Sequence, residues 1–228
     1  MNDEFIKWAD AYKKFQGDGS ELLWPSETLI RLFKGSYIPG LAKYFSGKKL
    51  LDVGCGNGNN LIFLAGLGLD CSAIEVTQGI CDDISRKFRV LGKDIDARCG
   101  TNVCIPFEEN SFDFLVSWNV LHYENCEDGI EQALNEYVRV LKPGGRFFIS
   151  TTGPEHKILK DSEPLGGHRF RIGREDDFRK GQVFYYFETE ENIQRVFSRF
   201  FYQVQVGRTH DYLISDILDW FIVTGVKS

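Results

Sequence analysis

The run at residues 50–58 constrains the fold of this chain more than any other feature, and it reads Leu50-Leu51-Asp52-Val53-Gly54-Cys55-Gly56-Asn57-Gly58. An apolar segment typical of a strand leads into three glycines at alternate positions, and a segment typical of a helix follows. Glycine lets the backbone approach a ligand closely and adopt positive φ angles. A strand, a glycine loop and a helix in this order aim free amide groups at whatever lies above the sheet. The run therefore predicts a binding site for a nucleotide-like cofactor.

The spacing of the glycines indicates which cofactor. Dinucleotide-binding proteins have G-x-G-x-x-G, whereas this chain has glycines at 54, 56 and 58 and Asn59 where the third dinucleotide glycine would stand. Asp52 precedes the first glycine by two positions, and its carboxylate suits a cationic amino-acid end better than a pyrophosphate. The run resembles motif I of the class I S-adenosylmethionine (SAM) methyltransferases. A tight strand–helix turn that binds nothing is the alternative.

The composition is that of a globular protein of one domain, with 228 residues, 43% hydrophobic and 26% charged. The net charge of −6 disfavours nonspecific attraction to nucleic acid or anionic lipid, so we expect neither as a partner. Polar and charged residues at the start, and the absence of long apolar runs, predict no secretory signal, no membrane span and a cytoplasmic location. The six cysteines lack C-x-x-C or zinc spacing, so we expect them reduced, mostly buried and not metal-binding.

Segments typical of strands alternate with segments typical of helices from residue 48 onward. The predicted strands are Lys48–Val53, Cys71–Val76, Ile95–Cys99, Phe112–Trp118 and Arg146–Thr151. The predicted helices are Asn57–Leu67, Gln78–Leu91 and Asp128–Leu141, the last stopped by Pro143-Gly144-Gly145. This alternation predicts an α/β fold with a parallel sheet covered by helices on both faces. A helix at Thr189–Phe200, with Thr189 as N-cap, and strands at Phe201–Val206 and Ile217–Val223 predict a terminal β-hairpin.

We expect one domain over residues 1–228, built from four parts. These are an N-terminal helical cap at 1–46, with Ser26 capping one helix, a cofactor-binding core at 48–151, a substrate-side insertion at 152–187, and a helix with the terminal hairpin at 189–228. A loop as long as the insertion is commonly a lid or binding element. The methyltransferase resemblance implies a Rossmann-like, doubly wound sheet of seven strands with a reversed C-terminal β-hairpin.

Three later features agree with the glycine run. Glu75 ends the second predicted strand, 21 positions after Gly54, where a carboxylate can accept hydrogen bonds from both ribose hydroxyls of an adenosine, as in NAD enzymes. Residues 99–119, C-G-T-N-V-C-I-P-F-E-E-N-S-F-D-F-L-V-S-W-N, resemble the motif IV region of small-molecule methyltransferases. Leu141-Lys142-Pro143-Gly144-Gly145 also matches, so the resemblance spans 48–151. Thr101 departs from it, because the family usually has an aspartate there that faces the adenine.

The resemblance implies S-adenosyl-L-methionine as cofactor and S-adenosyl-L-homocysteine (SAH) as product. Asn119 would hold the methionine end, and Thr101 or Asn102 would contact adenine. The full set of implied cofactor-binding residues is Asp52, Gly54, Cys55, Gly56, Glu75, Val76, Thr101, Asn102 and Asn119.

Methyl transfer requires alignment of the acceptor, exclusion of water and, for some acceptors, a base. His122, after the fourth strand, and His156, in the insertion, are the candidate catalytic residues. Residues 166–181 carry five Lys or Arg against three acids in an otherwise acidic chain, which favours a phosphate-bearing or other anionic acceptor. A solvated charged loop is the alternative. The candidate acceptor contacts are Tyr37, Tyr123, His168 and Arg169.

The sequence therefore predicts a SAM-dependent methyltransferase that acts on a small molecule, at oxygen rather than nitrogen, such as a sugar, a nucleotide-linked sugar or another anionic metabolite. An NAD(P)-dependent oxidoreductase is one alternative, disfavoured by the missing third glycine and the terminal hairpin. A catalytically inactive methyltransferase-like binding protein is the other, left open by Thr101. The oligomeric state stays open, a homo-oligomer included.

Overall fold

The computed structural model describes residues 5–8, 10–11 and 24–228. A central sheet of seven strands has the order β3-β2-β1-β4-β5-β10-β9. Its strands are β1 Lys49–Val53, β2 Asp70–Glu75, β3 Asp96–Cys99, β4 Phe112–Trp118, β5 Leu141–Thr152, β9 Tyr202–Leu213 and β10 Asp216–Val226. A separate three-stranded sheet contains β6 Glu163–Gly166, β7 Arg169–Arg171 and β8 Val183–Tyr185. The helices with defined bounds are α1 Glu27–Lys34, α2 Asn59–Gly66, α3 Gln78–Val90, α4 Glu127–Val140 and α5 Glu190–Phe197.

The strand directions confirm the predicted fold class. Strands β1 to β5 pair in parallel, whereas β10 runs antiparallel to β5 in a register from Trp220 opposite Thr152 to Val226 opposite Arg146. Strand β9 then pairs antiparallel with β10 and forms the edge. The strand order reverses between β1 and β4, and ligands of such sheets bind outside the carboxyl ends of the strands at this point.

Helices cover both faces of the central sheet because successive strand residues point to opposite sides. Leu51 and Phe147 pack with α4 and α5 in one hydrophobic cluster. Leu50 and Phe148, their immediate neighbours in sequence, pack in a second cluster with α1, α2 and α3. Phe33 of α1 is fully buried there, with its ring 4.6 Å from that of Phe148. The predicted N-terminal cap at 1–46 falls partly outside the described residues, and α1 is its best-defined part.

Side-chain caps begin three of the helices and explain where they start. Ser26, Thr77 and Thr189 each accept a hydrogen bond from a backbone amide three residues further on, at 3.5, 3.4 and 3.2 Å. A capping oxygen satisfies an amide that has no partner within the helix, and its loss costs about 1 kcal/mol. The predicted N-caps Ser26 and Thr189 are confirmed.

The predicted helix end at Leu141 is right to within one residue, but the predicted start of the fifth strand at Arg146 is wrong. Helix α4 ends at Val140, and β5 begins at once with Leu141, so the proline and glycines lie inside the strand. They form a bulge, because five positions of β5 span two positions of β4 between the pairs Phe112–Leu141 and Phe114–Arg146. The backbone at 144–145 pairs with Lys227 instead, at 2.9 Å in both directions. Pairing across the sheet, which no local pattern reveals, extends the strand.

The insertion at 152–187 also differs from the loop that the sequence predicts. It contains β6, β7 and β8, together with a short 3₁₀ helix at Lys157–Leu159. Four buried side chains give it a small core of its own, Ile158, Phe170, Ile172 and Phe184. The strands have only three or four residues each, which is too few to show the alternation of apolar and polar residues that identifies a strand in a sequence.

The cysteines and the helices bear on two further expectations. Cys55, Cys71 and Cys81 are buried and all six thiols are free, but Cys99 and Cys104 are exposed, so the prediction of mostly buried cysteines is only half right. Within the ranges that the structure covers, no helix combines the length and apolar character needed to cross a bilayer.

Candidate functional site

A cavity of about 990 Å³ opens at the carboxyl ends of β1, β2 and β4. The parallel sheet brings these ends together, and the cavity lies where the strand order reverses between β1 and β4. Of the residues predicted to bind cofactor or acceptor, those that line it are Gly54, Cys55, Gly56, Glu75, Val76, Thr101, Asn102, Asn119 and Tyr123.

The glycine loop follows β1 and forms one wall of the cavity. Gly54, Gly56 and Gly58 all have positive φ angles, of 66°, 59° and 87°. A Cβ atom at Gly54 would lie 2.6 Å from the side chain of Val120, too close for any other residue without a shift of the wall. The loop therefore requires glycine both for its backbone conformation and for its close approach to the segment after β4.

Glu75 holds this loop from the end of β2. Its Oε1 accepts a hydrogen bond from the Gly56 amide at 2.7 Å, and its Oε2 accepts one from the Val76 amide at 2.9 Å. The side chain is 5% exposed, and burial raises its pKa although the two amide bonds act in the opposite direction. A carboxylate is thus fixed on the cavity wall and tied to the backbone of both neighbouring strands.

Asp52, in β1 beneath the loop, is a buried acid with an unsatisfied oxygen. It is 1% exposed, and its Oδ2 has no hydrogen-bond partner among the described residues. Burial raises its pKa to about 8, and the nearby Glu75 carboxyl adds to the shift. Two neighbouring acids that are both costly to ionise would be stabilised by a cation close by. Asp52 is not among the residues that line the cavity, so it would favour the positively charged part of an amino-acid ligand from beneath the glycine loop.

Asp52 makes the stability of the ligand-free protein depend on pH. Its folded pKa of about 8 lies above the value of about 3.9 in an unfolded chain, so the folded state keeps a proton that the unfolded state releases. Stability therefore falls as pH rises toward 8. Between about pH 6.5 and 8, Asp52→Asn is expected to reduce this fall by about 1 kcal/mol per pH unit, in denaturant unfolding curves. Exposed Asp94→Asn is the matched control, and equal slopes for both variants and the unaltered protein would contradict the prediction.

Asn119 directly follows β4. Its backbone has a positive φ of 61°, which is uncommon for residues other than glycine. Ser150 of β5 holds it there. The Asn119 amide donates to Ser150 Oγ at 2.8 Å, and that hydroxyl donates to Asn119 Oδ1 at 2.5 Å. Both residues line the cavity. A constrained backbone of this kind recurs at ligand sites because the surroundings fix it in advance.

The loop after β3 carries the two candidates for the adenine contact. Asn102 is occupied by the protein itself, since its Oδ1 accepts from Tyr137 Oη at 2.5 Å and its Nδ2 donates to Glu124 Oε1 at 3.1 Å. Thr101 pairs with Cys104 through its backbone, with the Thr101 amide 3.1 Å from the Cys104 carbonyl oxygen. Asn102 thus positions the loop, which leaves Thr101 as the preferred candidate.

His122 is buried outside the lining of the cavity. Its ring packs against those of Tyr123, Phe184 and Trp220, at centroid distances of 4.8, 5.3 and 5.8 Å. Burial lowers its pKa well below the ordinary value, and the charge of Arg179 adds to this effect. Its Nδ1 has no partner within the described part of the chain. The ring is therefore neutral at pH 7 and fixed by packing.

His156 has a structural role of its own. Its Nδ1 accepts a hydrogen bond from the Ile158 amide at 3.0 Å and so caps the 3₁₀ helix. Burial lowers its pKa to about 4, with a further contribution from Arg179. It lines a separate cavity of about 220 Å³ rather than the large one. The geometry thus gives no support to either histidine as the base, and both assignments stay predictions.

The basic residues of the insertion are largely neutralised by acids of the same segment. The ion pairs are Arg171–Glu163, Arg174–Asp176, Arg179–Asp177 and Lys180–Glu175. Arg169 donates to the backbone oxygen of Gly166 at 3.3 Å. Neither Arg169 nor His168 lines the large cavity, and Tyr37 is 67% exposed and also lies outside its lining. The segment therefore offers no concentrated positive charge to an anionic acceptor.

The cavity also has walls that the sequence does not indicate. Gln182 and Phe184 reach it from the insertion, Thr209 and Asp211 from β9, and Trp220 from β10. They lie at least 63 positions after Asn119, the last cofactor residue predicted, and they carry no motif. The described residues hold no group of three or more His, Cys, Asp or Glu side chains able to bind a metal ion.

Comparison with known proteins agrees with the fold. Residues 51–149 match the family model described as a methyltransferase domain. The biotin biosynthesis bifunctional protein BioHC of Cellvibrio japonicus is 37% identical over 106 residues, which are 46% of this chain and 20% of that protein. This chain therefore spans only a fifth of the length of that curated relative.

Solved structures share the fold at low sequence identity. A SAM-dependent methyltransferase from Methanosarcina mazei superposes with a TM-score of 0.69 at 17% identity, over 89% of this chain and 98% of that one. The 1,6-didemethyltoxoflavin-N1-methyltransferase of Burkholderia thailandensis, solved with SAH, has a TM-score of 0.59 at 17% identity, over 80% and 72% of the two chains.

The fold defines the class of this protein. Residues 51–149 match the methyltransferase-domain family model, and the chain has the class I SAM-dependent methyltransferase fold. The cofactor of this class is S-adenosylmethionine, which confirms the prediction from the glycine spacing. The oxidoreductase alternative receives no support.

Proposed function

We propose that this chain is an active SAM-dependent methyltransferase with a small-molecule acceptor. One observation carries the proposal. A single cavity is lined both by the glycine loop with Glu75 and by Gln182, Phe184 and Trp220 from the insertion and the terminal hairpin. The site thus offers room for an acceptor beside the residues expected to hold the cofactor, as transfer between two bound molecules requires.

The residues present fit the cofactor. Glu75 offers carboxylate oxygens for the ribose hydroxyls, and the unsatisfied Oδ2 of Asp52 supports a cationic amino group nearby. Thr101 is assigned to adenine and Asn119 to the methionine end. When bound, the cofactor supplies a methyl group activated by its sulfonium charge. The protein's contribution is to fix both molecules and to exclude water through the apolar walls of the cavity.

Fewer observations bear on the chemical class of the acceptor. The sequence favours an oxygen of a sugar, a nucleotide-linked sugar or another anionic metabolite. The internal ion pairs of the insertion weaken the case for a phosphate group. The relatives differ among themselves, since one is named for biotin biosynthesis and another for N1-methylation of 1,6-didemethyltoxoflavin. We therefore propose only that the acceptor is a small molecule.

Thermal unfolding with SAH, SAM or NADH tests the proposal. A ligand at about a hundred times its dissociation constant adds roughly 2.7 kcal/mol of stability. We expect SAH and SAM to raise the melting temperature and NADH to leave it unchanged. A shift with NADH alone, or with none of the three, would contradict the proposed function. A shift with SAH combined with no transfer of labelled methyl to any acceptor of a broad small-molecule panel would favour the inactive binding protein.

A further inference from the structure

Aromatic rings form a wall on the acceptor side of the cavity. The ring centroids of Trp8 and Tyr123 are 5.0 Å apart, and those of Tyr123 and Phe184 are 4.4 Å apart. Trp220 packs against the same His122 ring as Phe184, and that ring lies behind the wall. Trp8, Tyr123, Phe184 and Trp220 all line the cavity. Flat apolar ligands gain most from such a wall, because stacked and edge-to-face contacts add to the burial of apolar area.

Gln182 adds a hydrogen-bond donor beside these rings. The residue is 6% exposed and lines the cavity, and its Nε2 has no partner among the described residues. Its backbone is held at both ends, by the Arg179 carbonyl oxygen at 2.9 Å and by the Ile172 amide at 3.0 Å. A buried amide without a partner is costly. A ring nitrogen or a carbonyl oxygen of a ligand would satisfy it.

The charged side chains that line the cavity are all acidic in the part of the chain that the structure describes. They are Glu27, Glu75, Glu124 and Asp211, with no lysine, arginine or histidine among the lining residues. The ribose hydroxyls of the cofactor account for Glu75 in the proposed function, but Asp211 on β9 has no such explanation. Arg179, which donates to Tyr123 Oη at 3.2 Å from outside the lining, is already paired through two bonds with Asp177. Among the described residues, an anionic ligand would therefore meet repulsion without a compensating cation.

Resting on the proposed function, we propose that the acceptor subsite takes a planar heteroaromatic ring that is neutral or cationic, with a ring nitrogen or carbonyl oxygen bonded to Gln182. The aromatic wall favours a flat ligand, and the Gln182 amide favours one that carries a hydrogen-bond acceptor. The acidic lining disfavours phosphate and carboxylate groups. This differs from the anionic acceptor that the composition of the insertion favours, because most basic side chains of the insertion are paired with its own acids.

Calorimetric titration of the SAH-saturated full chain tests this proposal with rings of one shape and different charge. The probes are quinoline, 4-(aminomethyl)quinoline, whose charge lies on the side-chain amine and leaves the ring nitrogen free to accept, and quinoline-4-carboxylate, with glucose 1-phosphate as a non-aromatic anion. We expect the neutral and cationic rings to bind at least tenfold more tightly than the carboxylate, and glucose 1-phosphate not to bind. Equal or tighter binding of either anion would overturn the proposal, as would failure of all three rings to bind a protein that binds SAH.

Two variants connect the result to the named residues. Gln182→Leu is expected to weaken quinoline binding about tenfold, and Asp211→Asn to reduce the preference for 4-(aminomethyl)quinoline over the carboxylate about threefold. Asp94→Asn makes the same change of charge outside the cavity and should preserve that preference. The SAH affinity of each variant reports an intact fold. If the unaltered protein does not bind SAH, that result contradicts the proposed function and this inference with it.

Discussion

Replacing Glu75 with alanine is expected to weaken SAH binding by about 100-fold. The change removes the carboxylate that accepts from the Gly56 and Val76 amides. Each hydrogen bond that a ribose hydroxyl donates to this carboxylate in the proposed complex contributes about 1.5–3 kcal/mol, and about 1.4 kcal/mol corresponds to a tenfold change in affinity. The two amides that lose their partner no longer hold the glycine loop in place, which adds to the loss. Titration calorimetry with SAH measures the effect.

Glu75→Gln separates the two parts of this effect. Glutamine keeps one oxygen that can accept from the loop, so we expect it to retain more affinity than alanine does. Asp94→Ala removes an exposed carboxylate elsewhere and should bind SAH as the unaltered protein does. Unchanged affinity in Glu75→Ala, with a normal unfolding transition, would mean that Glu75 only supports the fold.

Asp219→Ala is expected to destabilise the protein by about 3 kcal/mol, because a buried ion pair loses one partner. Asp219 is fully buried in β10, where it accepts from Arg208 Nε at 2.6 Å and from Arg208 Nη2 at 2.8 Å. It also accepts from the Glu155 amide at 2.8 Å, so it ties the start of the insertion to the terminal hairpin. Arg208 is 31% exposed and can regain some solvation, which places the value at the lower end of the range for buried pairs.

Denaturant unfolding and the melting temperature measure this loss, which corresponds to a decrease of roughly 10 °C for a chain of this size. Asp216→Ala in the same strand is the matched control, since its pair with Lys157 is longer, at 3.4 Å, and partly exposed. An exposed pair contributes about 0–1 kcal/mol. Similar losses for the two variants would show that the buried Asp219–Arg208 pair stabilises the protein no more than an exposed pair does.

The cofactor half of the site could be predicted because its determinants are short and local. The glycines at 54, 56 and 58 have the positive φ angles that their spacing suggests. Glu75 lies on the cavity wall because a parallel strand next to β1 ends there. In both cases a residue's position at the end of a predicted strand was enough to place it, since parallel strands end at one edge of the sheet.

The histidines and arginines singled out from the sequence show where local reasoning ends. His122 and His156 follow strands or lie in the insertion, yet packing and capping hold them outside the large cavity. The insertion is rich in arginine, but acids two to eight residues away pair with most of that charge. Residue type alone cannot tell a charge that is free to bind a ligand from one already paired.

The sequence by itself determined the α/β class, the place of the cofactor loop and the residues around it, because strand, glycine loop and helix are encoded within a few residues. Only the tertiary structure decided the acceptor side. Gln182, Asp211 and Trp220 reach one cavity because β10 pairs antiparallel with β5 and the small sheet of the insertion packs beside Tyr123. These contacts join segments far apart in the chain, and pairing over such distances leaves no periodic pattern in the sequence from which it could be inferred.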